Sequence, residues 1–459
     1  MKSMTTARNS IPAKHVAAVV VGNALEFYDF LTYAFFAVYI GRAFFPANDP
    51  VTSLLASLGT FAAGFITRPI GGIVIGRMGD RYGRKPAMIL SFSLMGIAIT
   101  GLALTPPYAM IGVAAPGFVV FFRLLQGFAL GGEVGPTTAF LLEAAPPERR
   151  GFYTAFQAWT QQLAILISGL VGVGLSSLLG ERQLQDFGWR LAFIIGAAIV
   201  PFGLMLRRRL PETFRPRVGG KAQSVPVHPH LRVAVLGIML LTSATVGAYI
   251  GDYMTTYAHV TLQMPANIAF AATVVAGLCG VTFDLVSGAM SDRFGRKPMM
   301  IIPGVLLLLS IVPAFYLVNR YRTPAALFGA TAVLVSLSEI CSCPMLVWLT
   351  ESLPAGIRSG GVAIVYAFSI ATFGGSTQYM VTWLIKVTGN PLSPAYYWTA
   401  ALIVGLAAML MTHESAPKNA AREDVAEDTV FGDGFMVKSE KAEEAIGVLT
   451  KAGHAVKHE

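Results

Sequence analysis

Apolar runs of about 20 residues recur along this chain from residue 16 to residue 411. At 1.5 Å of rise per helical residue, each run crosses a hydrocarbon core roughly 30 Å thick. A bilayer offers no water to bare amides, and the runs lack the alternation of barrel strands, so helices are the expected spanning form. Only 13% of the 459 residues are charged and 54% are hydrophobic. A soluble domain carries roughly 25% charged residues.

The runs predict twelve spans, near 15–41, 53–76, 87–105, 116–143, 151–179, 189–207, 232–258, 267–290, 299–318, 325–351, 359–386 and 396–412. Arg207–His230 is basic, bears Pro and Gly and has no apolar period, which marks a linker. The expected division is a six-helix half over 1–206, a linker over 207–231, a second half over 232–412 and a polar tail over 413–459. The predicted fold class is an all-α membrane protein, with twelve transmembrane helices in two pseudo-symmetric six-helix bundles.

Internal repetition supports the pairing of halves. GRMGDRYGRKP at Gly76–Pro86 returns as GAMSDRFGRKP at Gly288–Pro298, an offset of 212. Glu143 with Arg150 returns as Glu351 with Arg358, an offset of 208. Two features repeating at nearly one offset imply a shared fold.

The net charge of +9 could suggest a nucleic-acid partner, but its distribution points to membrane topology. With the N-terminus inside, the inward segments collect 20 Lys and Arg and the outward loops collect 6, so both termini are expected in the cytoplasm. The first apolar run has no small-residue cleavage site and holds Glu26 and Asp29, so it reads as a span rather than a signal peptide. Cys279, Cys341 and Cys343 all fall inside apolar runs and read as packing residues, with no disulfide or metal site expected.

The repeated loop places Asp80, Arg81 and Arg84, and again Asp292, Arg293 and Arg296, at the end of a span. Glycines permit the turn, and the acid can meet an arginine or a helix N-terminus in a low-dielectric interface. With Glu143, Arg150, Glu351 and Arg358, these residues form a candidate gate that latches helices in one conformation and releases them in another.

On this loop the chain resembles the major facilitator superfamily, whose signature joins spans two and three and returns between eight and nine; the match covers residues 15–412. GNALEFYDF (Gly22–Phe30), GFITRPIGG (Gly64–Gly72), RLLQGFALGGEVG (Arg123–Gly135), GFYTAFQ (Gly151–Gln157) and FGWR (Phe187–Arg190) narrow the resemblance to the metabolite–proton symporter family. That family takes up citrate, 2-oxoglutarate, shikimate, proline or betaine. AWTQQLAI (Ala158–Ile165) and AFSIATFGGSTQ…LIKVTGNPLSP (Ala367–Pro394) look most like its citrate-transporting members. The resemblance implies alternating access in a bacterial inner membrane, as does the absence of an organellar leader.

Ionisable groups inside spans cost at least about 2.5 kcal/mol each near the bilayer centre, so they are functional candidates. They are Glu26, Asp29, Arg68, Arg123, Glu133, Asp252, Asp284 and Glu339, and no histidine lies mid-span. Coupled protons must then ride on carboxylates. Glu26, Asp29 and Tyr33 share one helical face by spacing, whereas Phe27, Phe30 and Phe35 read as packing. Arg123-Leu-Leu-Gln126-Gly127 resembles the superfamily's R-x-x-x-G motif associated with proton coupling. Arg123 is expected to pair with Asp29 in one state and with a substrate carboxylate in another, because its fork suits bidentate binding. Glu26, Asp29, Arg123 and Glu133 are the proton-coupling candidates.

Arg68 precedes Pro69 and serves either ligand contact or structural pairing. Gln157, Gln161 and Gln162 bring amides into the fifth span, for a ligand or for helix–helix contact. Tyr366 and Ser369 are weaker candidates for the opposing wall. Asp252, Asp284 and Glu339 complicate the citrate reading, since three ionised acids repel a trianion at low dielectric. They are protonated or paired, or the substrate is a zwitterion such as proline or betaine; a dicarboxylate or shikimate is the remaining alternative. The expected activity is proton-coupled import of a small carboxylated metabolite, citrate or a related tricarboxylate foremost. Expected partners are that substrate, protons and the lipid bilayer, with the chain acting as a monomer. No enzyme activity, cofactor, metal or nucleic acid is expected: the spans carry no nucleophile–base pair, and no G-x-x-x-x-G-K-[ST] loop occurs.

Overall fold

The computed structural model describes residues 24, 27–28, 30–82, 84–131, 138, 141–142, 145–209, 231–354 and 358–416. Several of these positions, including 79–82 and 84–85, are described by backbone alone. Glu26, Asp29, Glu133 and Glu143 lie outside the described residues, as do 210–230 and 417–459.

Among the described residues, each predicted span contains helix. The first contributes Ala37–Phe44, and the second Pro50–Ile66 and Arg68–Tyr82. The third to sixth are Arg84–Leu104, Ala114–Leu130, Arg150–Leu178 and Trp189–Arg209. The seventh to tenth are Leu231–Thr256, Ala266–Phe294, Arg296–Tyr321 and Pro324–Ser352. The eleventh is Arg358–Ser369 with Gly375–Thr388, and the twelfth is Ser393–Met411. Among the described residues, eight helices are long and apolar enough to cross a membrane, and two shorter apolar helices accompany them. Leu104, Leu309 and Ile364 stand exposed on the outer surface, where lipid rather than water accounts for them.

Local chemistry sets the helix ends and breaks. Pro50 opens the second span, and the Asp49 carboxylate accepts the Val51 N–H at 3.0 Å. The tenth span begins the same way at Thr323–Pro324. The second span, expected as one rod, breaks at Thr67 because Pro69 has no amide to continue the ladder. Thr67 Oγ1 instead donates to the Leu124 carbonyl of the fourth span at 2.6 Å. A π turn at Ile370–Gly374 interrupts the eleventh span.

Among the described residues, two large apolar cores result, beside a small cluster of Ala37, Val38, Leu54 and Leu58. One gathers Phe30, Tyr33, Phe61, Phe65 and Trp189 of the first six spans. The other gathers Tyr253, Tyr257, Phe315, Trp348 and Trp398 of the last six. Tyr249, Ala266, Phe270 and Ile370 cross from the second set into the first core. The fifth and eighth spans pack along their whole lengths, from Gly151 against Gly288 to Gly172 against Phe270. The second and eleventh also meet across this seam. The bundle end carrying Asp292–Pro298 is hereafter the motif face, and the other end the opposite face.

Candidate functional site

Two arginines expected from the sequence meet in the interior. Arg123 is wholly buried and Arg68 nearly so. Their helices approach through small residues: a Cβ on Gly127 would overlap the Gly64 carbonyl, and one on Gly131 would overlap the Arg68 carbonyl. Glycine at these places lets the second and fourth spans touch backbone to backbone. The R-x-x-x-G pattern therefore positions Arg68 as well as Arg123.

The guanidinium groups rest on aromatic faces. Arg68 lies 4.4 Å from the Phe30 ring centroid and 4.3 Å from that of Phe65. Arg123 lies 4.3 Å from Phe30, 4.5 Å from Tyr33 and 4.8 Å from Phe61. Phe30, read from the sequence as packing, thus contacts both cations, a correction that helical spacing alone did not reveal. A ring face attracts a cation by its quadrupole and donates no counter-charge. Arg123 Nη1 donates to Gln126 Oε1 at 2.7 Å. Among the described residues, Arg123 Nε and Nη2, and Arg68 Nε and Nη2, are buried without a hydrogen-bond partner. Among the described residues neither arginine forms an ion pair.

The last six spans supply an opposing wall. Tyr249 packs against Phe61 and Phe65, with centroids 6.2 and 5.8 Å apart, and lies within electrostatic reach of both arginines. Tyr366 lies within reach of Arg68, and its hydroxyl accepts from Gln161 Nε2 at 3.4 Å. Arg68, Arg123, Tyr33, Gln161 and Tyr366 are therefore brought together, joined by Tyr249 and Gln126, which were not among the candidates. Tyr249 has no charge or motif to mark it, and only the fold reveals its place.

Other candidates go elsewhere. Ser369 Oγ contacts the Ile238 carbonyl at 3.4 Å, inside the last six spans. Gln157 is buried with both amide atoms unpartnered. Gln162 lies against Gly280 and within hydrogen-bonding reach of Glu339.

The acids of the last six spans form a second buried group. Asp284 faces Glu339, and Asp252 lies within electrostatic reach of Glu339. Among the described residues, neither Asp284 oxygen meets a hydrogen-bond donor. Two facing carboxyls can hydrogen-bond each other only when one carries a proton. No group of three or more metal-ligating side chains occurs among the described residues, and the three cysteines are free thiols.

Contacts close the seam at both ends. On the motif face, Asp292 of the eighth span accepts the Gly151 and Phe152 N–H groups at 2.8 and 2.9 Å. This places a carboxylate on the N-terminus of the fifth span, where the helix dipole favours it. Arg296 pairs with Asp292 at 2.8 Å and with Glu351 at 3.1 Å. Arg358 Nε donates to the Thr350 and Leu353 carbonyls at 2.9 and 3.2 Å. Arg293 instead lies over Phe294, and Arg150 Nε is unpartnered. Asp80, Arg81 and Arg84 lie in helix, with no side-chain description.

On the opposite face, Lys386 of the eleventh span bonds Asp49 at 2.6 Å and Thr52 at 2.7 Å. Hydrogen bonds from Lys386, Thr52 and the Val51 N–H hold the Asp49 carboxyl down at about 2. Nearby, His259 stacks on Tyr39 and lies 3.6 Å from Glu181, again joining the two sets of spans.

Comparison with known proteins agrees with this architecture. The family model described as Major Facilitator Superfamily matches residues 19–376. The chain is 35% identical over 399 residues to the citrate-proton symporter of Klebsiella pneumoniae, covering 86% of this chain and 90% of the relative. It is 33% identical over 396 residues to the alpha-ketoglutarate permease of Escherichia coli K12, covering 85% and 91%. Among solved structures, that of a D-xylose-proton symporter superposes with a TM-score of 0.71 at 21% identity, over 88% of this chain and 98% of that one. The helical spans, the twice-used loop motif and these matches agree: the chain belongs to the major facilitator superfamily, and it is a membrane transporter rather than an enzyme.

Proposed function

We propose that this chain is a proton symporter that imports a small multiply carboxylated metabolite, citrate or a related tricarboxylate foremost. The observation that carries this reading is the Arg68–Arg123 pair in a buried aromatic box, with two guanidinium nitrogens on each side chain unpartnered among the described residues. Two like charges held together in low dielectric call for an anion, and guanidinium forks suit carboxylates. The citrate-proton symporter and alpha-ketoglutarate permease relatives support the same chemical class.

In the proposed cycle the substrate's carboxylates displace the aromatic faces from Arg68 and Arg123. Tyr249, Tyr366 and Gln161 contact it from across the seam, so binding reports to both bundles. The bundles then rock about this point, breaking the Asp292 contacts while the Asp49–Lys386 contacts hold, or the reverse. The motif face is assigned to the cytoplasm because the basic loops lie there. Glu26, Asp29 and Glu133 keep their proposed role beside Arg123 in proton coupling.

Asp252, Asp284 and Glu339 enter the same scheme. A trianion is compatible with them when they are protonated, so loading a proton there favours loading substrate. The dyad of Asp284 and Glu339 also supports a second reading, in which the cargo is a zwitterion whose cationic end meets these acids while its carboxylate meets the arginines.

Uptake into proteoliposomes under an imposed pH gradient, screened across citrate, tricarballylate, 2-oxoglutarate, shikimate, proline and betaine, decides between them. Citrate-dependent alkalinisation outside the vesicles supports the first reading. Uptake confined to proline or betaine sinks it in favour of the second.

A further inference from the structure

The chain beyond the twelfth span offers no chemistry by composition, yet its first residues are tied into the motif face. Glu414 is buried, and its Oε1 and Oε2 accept the backbone N–H groups of Arg296 and Lys297 at 2.8 and 3.1 Å. Those amides open the ninth span, so Glu414 caps that helix as Asp292 caps the fifth. Oε1 also accepts the Ala416 N–H at 2.8 Å, which folds the segment back on itself. Ser415 Oγ donates to Glu351 Oε2 at 2.7 Å, the same oxygen that accepts Arg296 Nε at 3.2 Å. Trp348 Nε1 donates to the His413 carbonyl at 2.9 Å, fixing the strand of chain above.

We propose that Glu414 and Ser415 are positioning residues of the gate on this face. They fix the turn from which Arg296 reaches Asp292, and so present Asp292 to the first turn of the fifth span. Arg296 is held at both ends: Glu414 grips its backbone, while Glu351, itself fixed by Ser415, grips its guanidinium. Gly295, with φ of 104°, is the flexible point of this turn. Without this strap of Glu414 and Ser415 the turn can rotate there, and Asp292 loses its aim. The sequence supports a working role, since Glu212–Thr213 follows the sixth span as Glu414–Ser415 follows the twelfth, an offset of 202. The inference rests on reading this face as a gate and is independent of the substrate.

Hydrogen exchange of the full-length protein in lipid nanodiscs, followed by mass spectrometry of the peptide spanning Gly151 and Phe152, tests it. Those two amides are bound across the seam by Asp292 and never touch the strap. D292N sets the scale and tests the gate itself. In E414Q the exchange of this peptide is expected to rise about five-fold, with the thermal midpoint shifted by no more than about 3 °C. S415A, which removes one bond and keeps the cap, is expected to raise it about two-fold. Faster exchange in D292N with wild-type exchange in both E414Q and S415A overturns the proposal, leaving Glu414 a local helix cap. Unchanged exchange in D292N overturns the gate reading and the proposal together. Should E414Q fail to fold, S415A alone decides.

Discussion

The two bundles bury charge in opposite ways. The first six spans bury two arginines on aromatic faces and the second six bury three acids, each group without a described counter-ion. A guanidinium remains charged almost anywhere in a protein, whereas a carboxyl can relieve its burial by taking up a proton. On the proposed function, the first bundle would hold the anion and the second the proton, with the substrate between them. Each group is unfavourable alone, so in that proposal the transport energetics rest on one compensating the other.

The largest effect is expected from Arg123. Arg123→Lys keeps the charge and removes the fork, and anion uptake by proteoliposomes should fall about 100-fold or more. Near-normal citrate uptake by this variant would erase the contrast between the bundles. A second, smaller effect divides the proton from the substrate. In Glu339→Gln, with Asp284 intact, accumulation driven by a pH gradient should drop about ten-fold while exchange of internal for external substrate persists. If accumulation and exchange fall together, the acids are structural and the comparison fails on that side.

Tyr249 sharpens the boundary between the two regions. Tyr249→Phe keeps the stacking on Phe61 and Phe65 and removes the hydroxyl, so the apparent KM should rise about three- to ten-fold with the maximal rate little changed. An unchanged KM would confine the site to the first bundle.

The smallest effect belongs to the opposite face. The Asp49 carboxyl is lowered from 3.8 to about 2 by Lys386 and its hydrogen bonds. A lowered carboxyl lends its contribution above its ordinary value and loses it as pH falls through the lowered one. The Asp49–Lys386 contact should therefore be insensitive to the pH on that face from about 8 down to about 4. Asp49→Asn should shift the balance of open and closed forms by less than about three-fold, as exposed ion pairs are weak. Spin-label distances across the seam measure that balance.

Much of this was legible in the sequence because the governing physics is local. Hydrophobic length predicted the helices, and the repeated GRKP loop predicted that Asp292 and Arg296 would work together at a span end. The intramembrane rule singled out Arg68, Arg123, Asp284 and Glu339, all of which prove buried. The sequence did not disclose what depends on packing between distant spans. Phe30 and Tyr249 look like ordinary core aromatics, and only the approach of the second, fourth and seventh spans turns them toward the arginines. Gln162 lies one residue from Gln161, but the helix turns it to Glu339 rather than to Tyr366. Thr67 breaks a span that hydropathy draws as one rod. Glu414 sits in a polar stretch where every acid looks alike until the ninth span starts beside it.

Asp292 grips main-chain amides, and that choice constrains how the lock can vary. Every residue but proline presents an N–H, so substitutions at Phe152 leave its donor in place, while Gly151 is held by packing, since a Cβ there would meet the Gly288 carbonyl at 2.6 Å and Arg296 Nη1 at 2.5 Å. Changes in the strength of this closure must then arise on the acceptor's side, in Asp292 and the residues that aim it. One bundle supplies a fixed keyhole, and the other carries the key that mutation can recut.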